Sequence, residues 1–287
     1  MDIEDSKNLG VHFDTPRKCS YFPDESRAAQ MATLHQLPKR GQYSAPPQKS
    51  SRELVRNLIP HGFLDAGLTA QFNACASCKQ CVPARINIAS FAPSRSQRRI
   101  IKRNQDLTTQ IFTMHDEDGQ LALNIEHFRL FNTYARARHP QGSFSCMSFE
   151  HFKACFSNRD LIAESRNGDG KLMNCTVLTA GDDYIYGVNF FYDVKESKHR
   201  SLGKYAVLTL LDALKDIEKM KHFYIGSVAQ ESPKLSYKTQ FSGLEIFTDN
   251  GWEAYNATQA YKTPHYSALL PQDVYWPYRN ADKVTNG

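Results

Sequence analysis

Three cysteines fall within seven residues, as Cys75-x-x-Cys78-x-x-Cys81. A two-residue gap makes a tight knuckle that lets neighbouring thiolates converge on one soft cation, so the spacing points to zinc or an iron–sulfur cluster. Such a site wants four donors. The fourth cysteine and proline of a ferredoxin run are missing, because Cys81-Val82-Pro83 follows instead. Cys19, in Cys19-Ser20-Tyr21-Phe22-Pro23, is the distant donor that would complete the set. The competing reading is a group of reduced thiols packing a loop-rich subdomain, and the spacing leaves both open. Cys146, Cys155 and Cys175 fall in amphipathic stretches and are expected in the core.

A second constellation is cationic. Between Arg85 and Arg103 the chain carries six basic residues and no acid, although its overall charge is only +5. At about 100° per residue, Arg95, Arg98, Arg99, Lys102 and Arg103 share one helical arc of roughly 140°, with Gln97, Ile100 and Ile101 on the remaining surface. A solvated face normally mixes signs. One that does not suits a phosphate backbone, which rewards clustered Lys and Arg through counterion release.

The third is Arg200-Ser201-Leu202-Gly203-Lys204-Tyr205, between a strand pattern and the clearest helix pattern. N-acetyltransferases of the GNAT type use [RQ]-x-x-G-x-[GA] at such a junction, where backbone N–H groups at a helix start hold a pyrophosphate. Here the Arg and the Gly are present, but Tyr205 stands where Gly or Ala allows close approach. The pattern suits that fold with a different acyl donor.

These residues need elements to hold them. Residues 1–50 read as polar and irregular, broken by Pro16, Pro23, Pro38, Pro46 and Pro47. Ser50 and Glu53 form a capping box before a helix that Pro60 and Gly62 close. Residues 72–83 read as a loop, Arg85–Ile88 as a short strand, and a helix opening near Ser94–Ser96 carries the cations. Ile125–Arg138 and Phe149–Phe156 have helical spacing, as does Lys204–Met220 with Val207, Leu210, Leu211, Leu214 and Ile217 on one face. Leu172–Thr179, Tyr184–Phe191 and Phe223–Val228 read as strands, and Leu244–Thr248 with Asp249-Asn250-Gly251 reads as a hairpin ending in Trp252. The expected class is α+β: a cysteine-containing, basic N-terminal domain over 1–104 and a GNAT-like acyltransferase domain with a mixed sheet over 105–252. Residues 253–287, rich in tyrosine at 255, 261, 266, 275 and 278, are expected as a tail packed on that domain.

Composition sets the outer bounds. With 287 residues, 41% hydrophobic and 23% charged, the chain is long enough for one large or two modest globular domains. No run approaches the ~18 apolar residues of a membrane span. The acidic start MDIEDSKNLGVHFD resembles neither a secretory signal nor a transit peptide. An odd count of seven cysteines argues against a disulfide framework, so a reducing cytoplasmic setting is expected.

Taken together, Cys19-Ser20-Tyr21-Phe22-Pro23, Tyr43-Ser44, Gly62-Phe63, the three-cysteine run with Val82-Pro83-Ala84-Arg85-Ile86, and Arg95-Ser96-Gln97-Arg98-Arg99 resemble bacterial aspartate/glutamate leucyltransferases, relatives of arginyl-tRNA–protein transferases. Arg138-His139, Phe191-Tyr192-Asp193, Ser201-Leu202-Gly203, Tyr205, Ser232-x-Lys234-x-x-Tyr237-Lys238 and Phe241 continue the likeness, which runs from about residue 15 to Trp252. It implies transfer of an amino acid, Leu first, from aminoacyl-tRNA to the N-terminal Asp or Glu of proteins, marking them for degradation in the N-degron pathway. Arginyl transfer and CoA-dependent acetylation are the alternatives. The chain departs from the family where Gln71-Phe72-Asn73 replace Tyr-Arg-Pro, and where Ser227-Val228 replace a Tyr-Trp pair, which bears on the amino acid transferred.

An aminoacyl ester is already activated, so proximity and orientation dominate, and the transfer itself requires no cofactor. The attacking α-amine, whose ordinary pKa is about 7.7–8.0, benefits from a nearby base. Asp193 is the first expectation for that base and His139 the second. Tyr192 and Tyr237 could donate to the developing oxyanion. Arg138 or Lys238 could bind the acidic acceptor side chain, with Ser201 and Gly203 beside the donor. Arg95, Arg98, Arg99, Lys102 and Arg103 are expected on tRNA phosphates.

Overall fold

The computed structural model describes residues 9–22, 27–36, 49–140, 142–270, 272 and 274. In chain order the strands and helices open with β1 (Leu9–Phe13), β2 (Arg17–Lys18), β3 (Ala28–Ala29), β4 (Met31–Gln36), α1 (Lys49–Leu58), β5 (Leu64–Asp65), β6 (Ala70–Asn73) and β7 (Val82–Asn87). There follow α2 (Arg95–Arg103), β8 (Thr108–Thr113), α3 (Ile125–Arg138), α4 (Phe149–Phe156), β9 (Leu161–Arg166), β10 (Leu172–Ala180) and β11 (Tyr184–Tyr192). The chain continues through α5 (Val194–Arg200), α6 (Leu202–Leu214), β12 (His222–Val228), β13 (Leu244–Thr248), β14 (Gly251–Ala254) and α7 (Tyr266–Leu269). Among these residues no helix is long and apolar enough to cross a membrane.

The chain divides at Ala84/Arg85, and not near residue 104 as the sequence suggested. One unit comprises Met1–Ala84, Ser227–Tyr237 and Ile246–Gly287; the other comprises Arg85–Gly226 and Lys238–Glu245. The reason is the neutral face of α2. Gln97 and Ile100 are buried, Gln97 Nε2 donates to the Gln240 carbonyl at 3.1 Å, and α2 packs on α6. The cationic helix therefore belongs with the α/β unit.

In the first unit, residues expected to be irregular form an antiparallel sheet ordered β1-β4-β6-β5. Val11 faces Leu34 across one ladder and Ala32 faces Phe72 across the next, and all four are buried. Helix α1 starts at Lys49, so Ser50 lies inside it. A 3-10 turn, Ile59–His61, follows, and Gly62 closes it at φ +81°, where a Cβ would drive into the Phe247 ring. The described part of the tail packs in this unit: Tyr266 stacks on Phe72 at 4.4 Å and donates to the Gly62 carbonyl at 2.6 Å. Tyr43, Ser44, Tyr275, Trp276 and Tyr278 lie outside the described residues.

The second unit is a mixed sheet ordered β13-β7-β12-β11-β10-β9-β8, with β7 and β13 contributing the ends that fall within it. Cys175, Val177 and Phe191 face an aromatic core with Phe131, Phe152 and Phe156 from α3 and α4. Asn174, alternating with Cys175, faces the other way. There Asn174 Oδ1 accepts from Ser165, whose hydroxyl meets Thr109 at 2.8 Å, and the buried phenol of Tyr205 on α6 lies beside Thr109. Helix α6 stops at Leu214, short of the expected Met220, and Ile217 is exposed. Cys175 is in the core, Cys155 is half-buried, and Cys146 is exposed, against expectation.

A charged staple joins α3 to the sheet. Asn124 caps α3 and donates its N–H to His127 Nδ1, which leaves Nε2 to meet Glu164 Oε1 at 2.5 Å. Arg166 bonds Glu164 at 2.7 Å and Glu126 at 2.9 Å. Burial alone would raise the Glu164 carboxyl, but the hydrogen bonds from His127 and Arg166 outweigh it and hold the group low; Arg166 does the same for Glu126. Arg166→Ala would leave Glu164 buried without its guanidinium. We expect a loss of about 2–3 kcal/mol at neutral pH in urea unfolding, below the fully buried case because Arg166 is partly exposed. Depressed carboxyls contribute above their unfolded pKa of about 4.3, and that contribution fades as pH falls through the lower folded values, so the gap to the parent should narrow below about pH 4.

Candidate active site

The site grows from the place where two parallel strands stop pairing. β11 and β12 hold register only over Tyr184–Tyr186 against His222–Tyr224, though both strands run on. Beyond that point β11 carries a bulge, because its pairing with β10 steps from Asn189↔Val177 to Gly187↔Leu178 and leaves Val188 unmatched. A Cβ at Gly187 would sit 2.5 Å from the Phe190 ring, which would have to move. On β12, Gly226 has φ +75°, and Lys238 Nζ donates to the neighbouring Ile225 carbonyl at 2.6 Å. Lys238 is thus half-buried against backbone at the mouth of the splay.

Tyr192 closes β11 and gathers several of the expected residues. Its phenol oxygen accepts from Arg138 Nη2 at 3.0 Å and Nε at 3.3 Å. Its ring meets Tyr134 edge-on at 4.9 Å, and Tyr134 in turn meets His139 at 5.8 Å. On the far side Gly203 admits the ring: a Cβ there would lie 2.8 Å from it. The end of α3, the end of β11 and the start of α6 therefore converge on one aromatic. Tyr134 was missed in the sequence; its signal was the helical spacing of four residues to Arg138.

Ser201 sets the entry to α6. It ends α5 and begins α6 in the left-handed region, φ +56°, the one non-glycine among the described residues with positive φ. Such a conformation costs about 1–2 kcal/mol. Tyr205, four residues on, is buried beside Thr109, and burial raises its phenol. The sixth position of the loop is thus filled by an anchor to the sheet.

Asp193 does not have the geometry of a base. Its Oδ1 accepts the Lys195 and Glu196 N–H groups at 3.0 and 3.1 Å as the N-cap of α5, and its Oδ2 pairs with Lys171 at 2.8 Å. Partial burial pushes its carboxyl up, but Lys171 and the cap bonds prevail and hold it below the usual range. A low carboxyl accepts a proton poorly at neutral pH. The D-x-x-E run, Asp193 to Glu196, is a helix-start signature that the sequence carried. Tyr237 belongs to the first unit.

The α2 cations are all exposed. Arg98 holds the Pro93 carbonyl at 2.5 Å and Arg103 the His199 carbonyl at 2.6 Å, while Arg95, Arg99 and Lys102 have no partner among the described residues. Ser94 caps the helix and Gln97 completes the box. Ile101, expected to pack down, is 38% exposed.

The cysteines sit in the first unit. Cys19, Cys78 and Cys81 pack around Phe22 and Tyr21 with Leu235 and Ala229. Cys75 is drawn elsewhere, its Sγ taking the Gln30 N–H at 3.4 Å. Among the described residues no three His, Cys, Asp or Glu side chains are grouped to hold a metal ion. We expect Asp193→Asn to keep the cap and to transfer within about threefold of the parent, whereas loss of a general base costs roughly 10²–10⁴-fold. Asp193→Ala should cost about 1 kcal/mol in melting experiments.

Comparison with known proteins gives the same picture along most of the chain. Residues 17–99 match the family model "Arginine-tRNA-protein transferase, N terminus", and residues 126–248 match its C terminus. Aspartate/glutamate leucyltransferase of Nitrosococcus oceani is 31% identical over 88% of this chain and 98% of its own length. The enzyme of that name from Pseudomonas fluorescens is 32% identical over 86% and 97%. A solved tandem GNAT protein from the clavulanic acid biosynthesis pathway aligns at TM-score 0.38 with 10% identity, over 82% of this chain and 80% of its own, too loosely to carry a fold argument. The chain belongs to the arginine-tRNA-protein transferase family, together with the bacterial aspartate/glutamate leucyltransferases.

Proposed function

We propose that this chain transfers leucine, in the cytoplasm, from its tRNA to proteins that begin with Asp or Glu, marking them for degradation. The observation that carries the reading is the relation to enzymes of that name over almost their full length. The chain is an aminoacyltransferase, and its donor is an aminoacyl-tRNA. In the step itself the acceptor's α-amine attacks the ester carbonyl, the carbonyl–ribose oxygen bond breaks, and the proton given up by the amine ends on the ribose oxygen.

The residues around Tyr192 suit that step. A phenol oxygen that accepts from a guanidinium still has its own O–H to donate, and Tyr192 would give it to the developing oxyanion. His139, linked through Tyr134, is the group left to take the amine's proton once Asp193 is committed to its cap. Arg138 would meet the acceptor's carboxylate beside the same phenol, with Lys238 the second cation of this unit. Ser201 and Gly203 would set the donor's position at the start of α6. The exposed face of α2 would hold tRNA phosphates, which position a nucleic acid without reading its sequence.

The test uses charged total tRNA and peptides differing only at residue one. Asp and Glu peptides should be leucylated, and Asn and Gln peptides should react at least about 100-fold more slowly, since an unpaired cation in the pocket penalises the amide. Preference for arginyl-tRNA would show that the Ser227-Val228 departure retunes the donor, and equal rates for acid and amide would overturn the acceptor. Reversing Arg95, Arg99 and Lys102 to Glu should weaken every tRNA alike. Each lost phosphate contact should flatten the slope of log K against log salt by roughly 0.7–0.9, with turnover at saturation little changed.

A further inference from the structure

Helix α5 buries none of its residues, so it contributes nothing to the core. It nevertheless connects two places that matter. Its N-terminal end follows directly on Tyr192, through the Asp193 cap. Its C-terminal end is lashed to α2 and the residues after it: Arg103 donates to the His199 carbonyl at 2.6 Å, Asn104 Nδ2 to the Arg200 carbonyl at 2.9 Å, and Arg200 pairs with Asp106 at 2.6 Å. Seven residues at 1.5 Å each make a ramp about 10 Å long between the basic helix and the phenol.

The ramp is basic on one side. Lys195, Lys198 and His199 stand at i, i+3 and i+4, within an arc of about 100°, and all three are exposed. Neither lysine has an acidic partner among the described residues. The one free acid of α5, Glu196, sits beside this arc towards Lys171. Phosphates of a stacked single strand repeat at about 3.4 Å, so roughly three of them span the ramp.

We propose that α5 carries the unpaired 3′ end of the donor tRNA, with Lys195 and Lys198 on its phosphates, so that a duplex seated on α2 delivers its terminal ester to Tyr192. This rests on the reading that α2 holds the donor tRNA. The two helices would then have different duties. α2 grips paired backbone, and α5 guides the strand that leaves the pair.

Two RNA hairpins test it on the full-length chain: an acceptor-stem hairpin with its unpaired 3′ end, and the same hairpin cut blunt. For the parent, the unpaired end should steepen the slope of log K against log salt by roughly 1.4, at about 0.7 per single-strand contact. Lys195→Glu with Lys198→Glu should abolish that difference and weaken only the hairpin with the unpaired end, with unchanged melting confirming the fold. Arg95→Glu with Arg99→Glu should weaken both hairpins. If the α5 variant weakens both equally, or neither while the α2 variant still acts, the ramp is overturned and the α2 reading stands. If the α2 variant weakens neither hairpin, the α2 reading falls and takes the ramp with it.

Discussion

The second unit depends on one close approach, the ring of Tyr192 against the backbone of Gly203. A Cβ at that α-carbon would lie 2.8 Å from the ring and push it aside; with glycine there the ring can lie beneath the first turn of α6 and still offer its oxygen to Arg138. Three elements that share no local sequence are thereby held to one side chain: the end of a strand, the end of α3 and the start of α6. Each is also fixed from behind. α3 is stapled through His127 and Arg166, β11 is fixed by Phe191 in the aromatic core, and α6 is anchored by the buried ring of Tyr205. Placing a reactive ester within reach of an amine calls for that kind of rigid framing, because most of the barrier to be removed is orientational.

Gln97 gives the cationic helix a comparable tie. Its carboxamide completes the α2 capping box with one end and grips the Gln240 carbonyl with the other, while Lys204 of α6 holds the Gln240 side chain at 2.6 Å. The helix that would bear the nucleic acid is thus registered against the helix that begins under Tyr192. Long-range attraction to phosphates is undirected, and such a tie converts it into position.

What could be read in advance follows the range of the interactions. α3 and α4 were legible to the residue because apolar spacing and polar caps at Asn124 and Ser148 are local signals. The hairpin at Asp249–Gly251 was legible for the same reason. The first unit's sheet was not, because its strands are two to six residues long and pair with segments far along the chain. α5 has no apolar face and so no period to detect. Arg138, His139, Tyr192 and Gly203 were singled out from the sequence, and the structure gathers them around one phenol; Asp193 was read as a base, and the same residue type at a strand end serves equally as a cap. Only the amides that it accepts decide between those roles.

The unmatched Val188 has a consequence of its own. In a strand, parity alone decides which face a side chain takes, and a bulge resets that parity for everything downstream. Phe191 points into the core and Tyr192 stands at the site only because one residue more than the partner strand requires has already been counted. Were Val188 instead to take a place in the ladder, the pairing downstream would slip by one residue. That slip would send the phenol into the hydrocarbon interior and leave a phenyl ring facing the guanidinium, so the chemistry here is indexed by a count as much as by residue type.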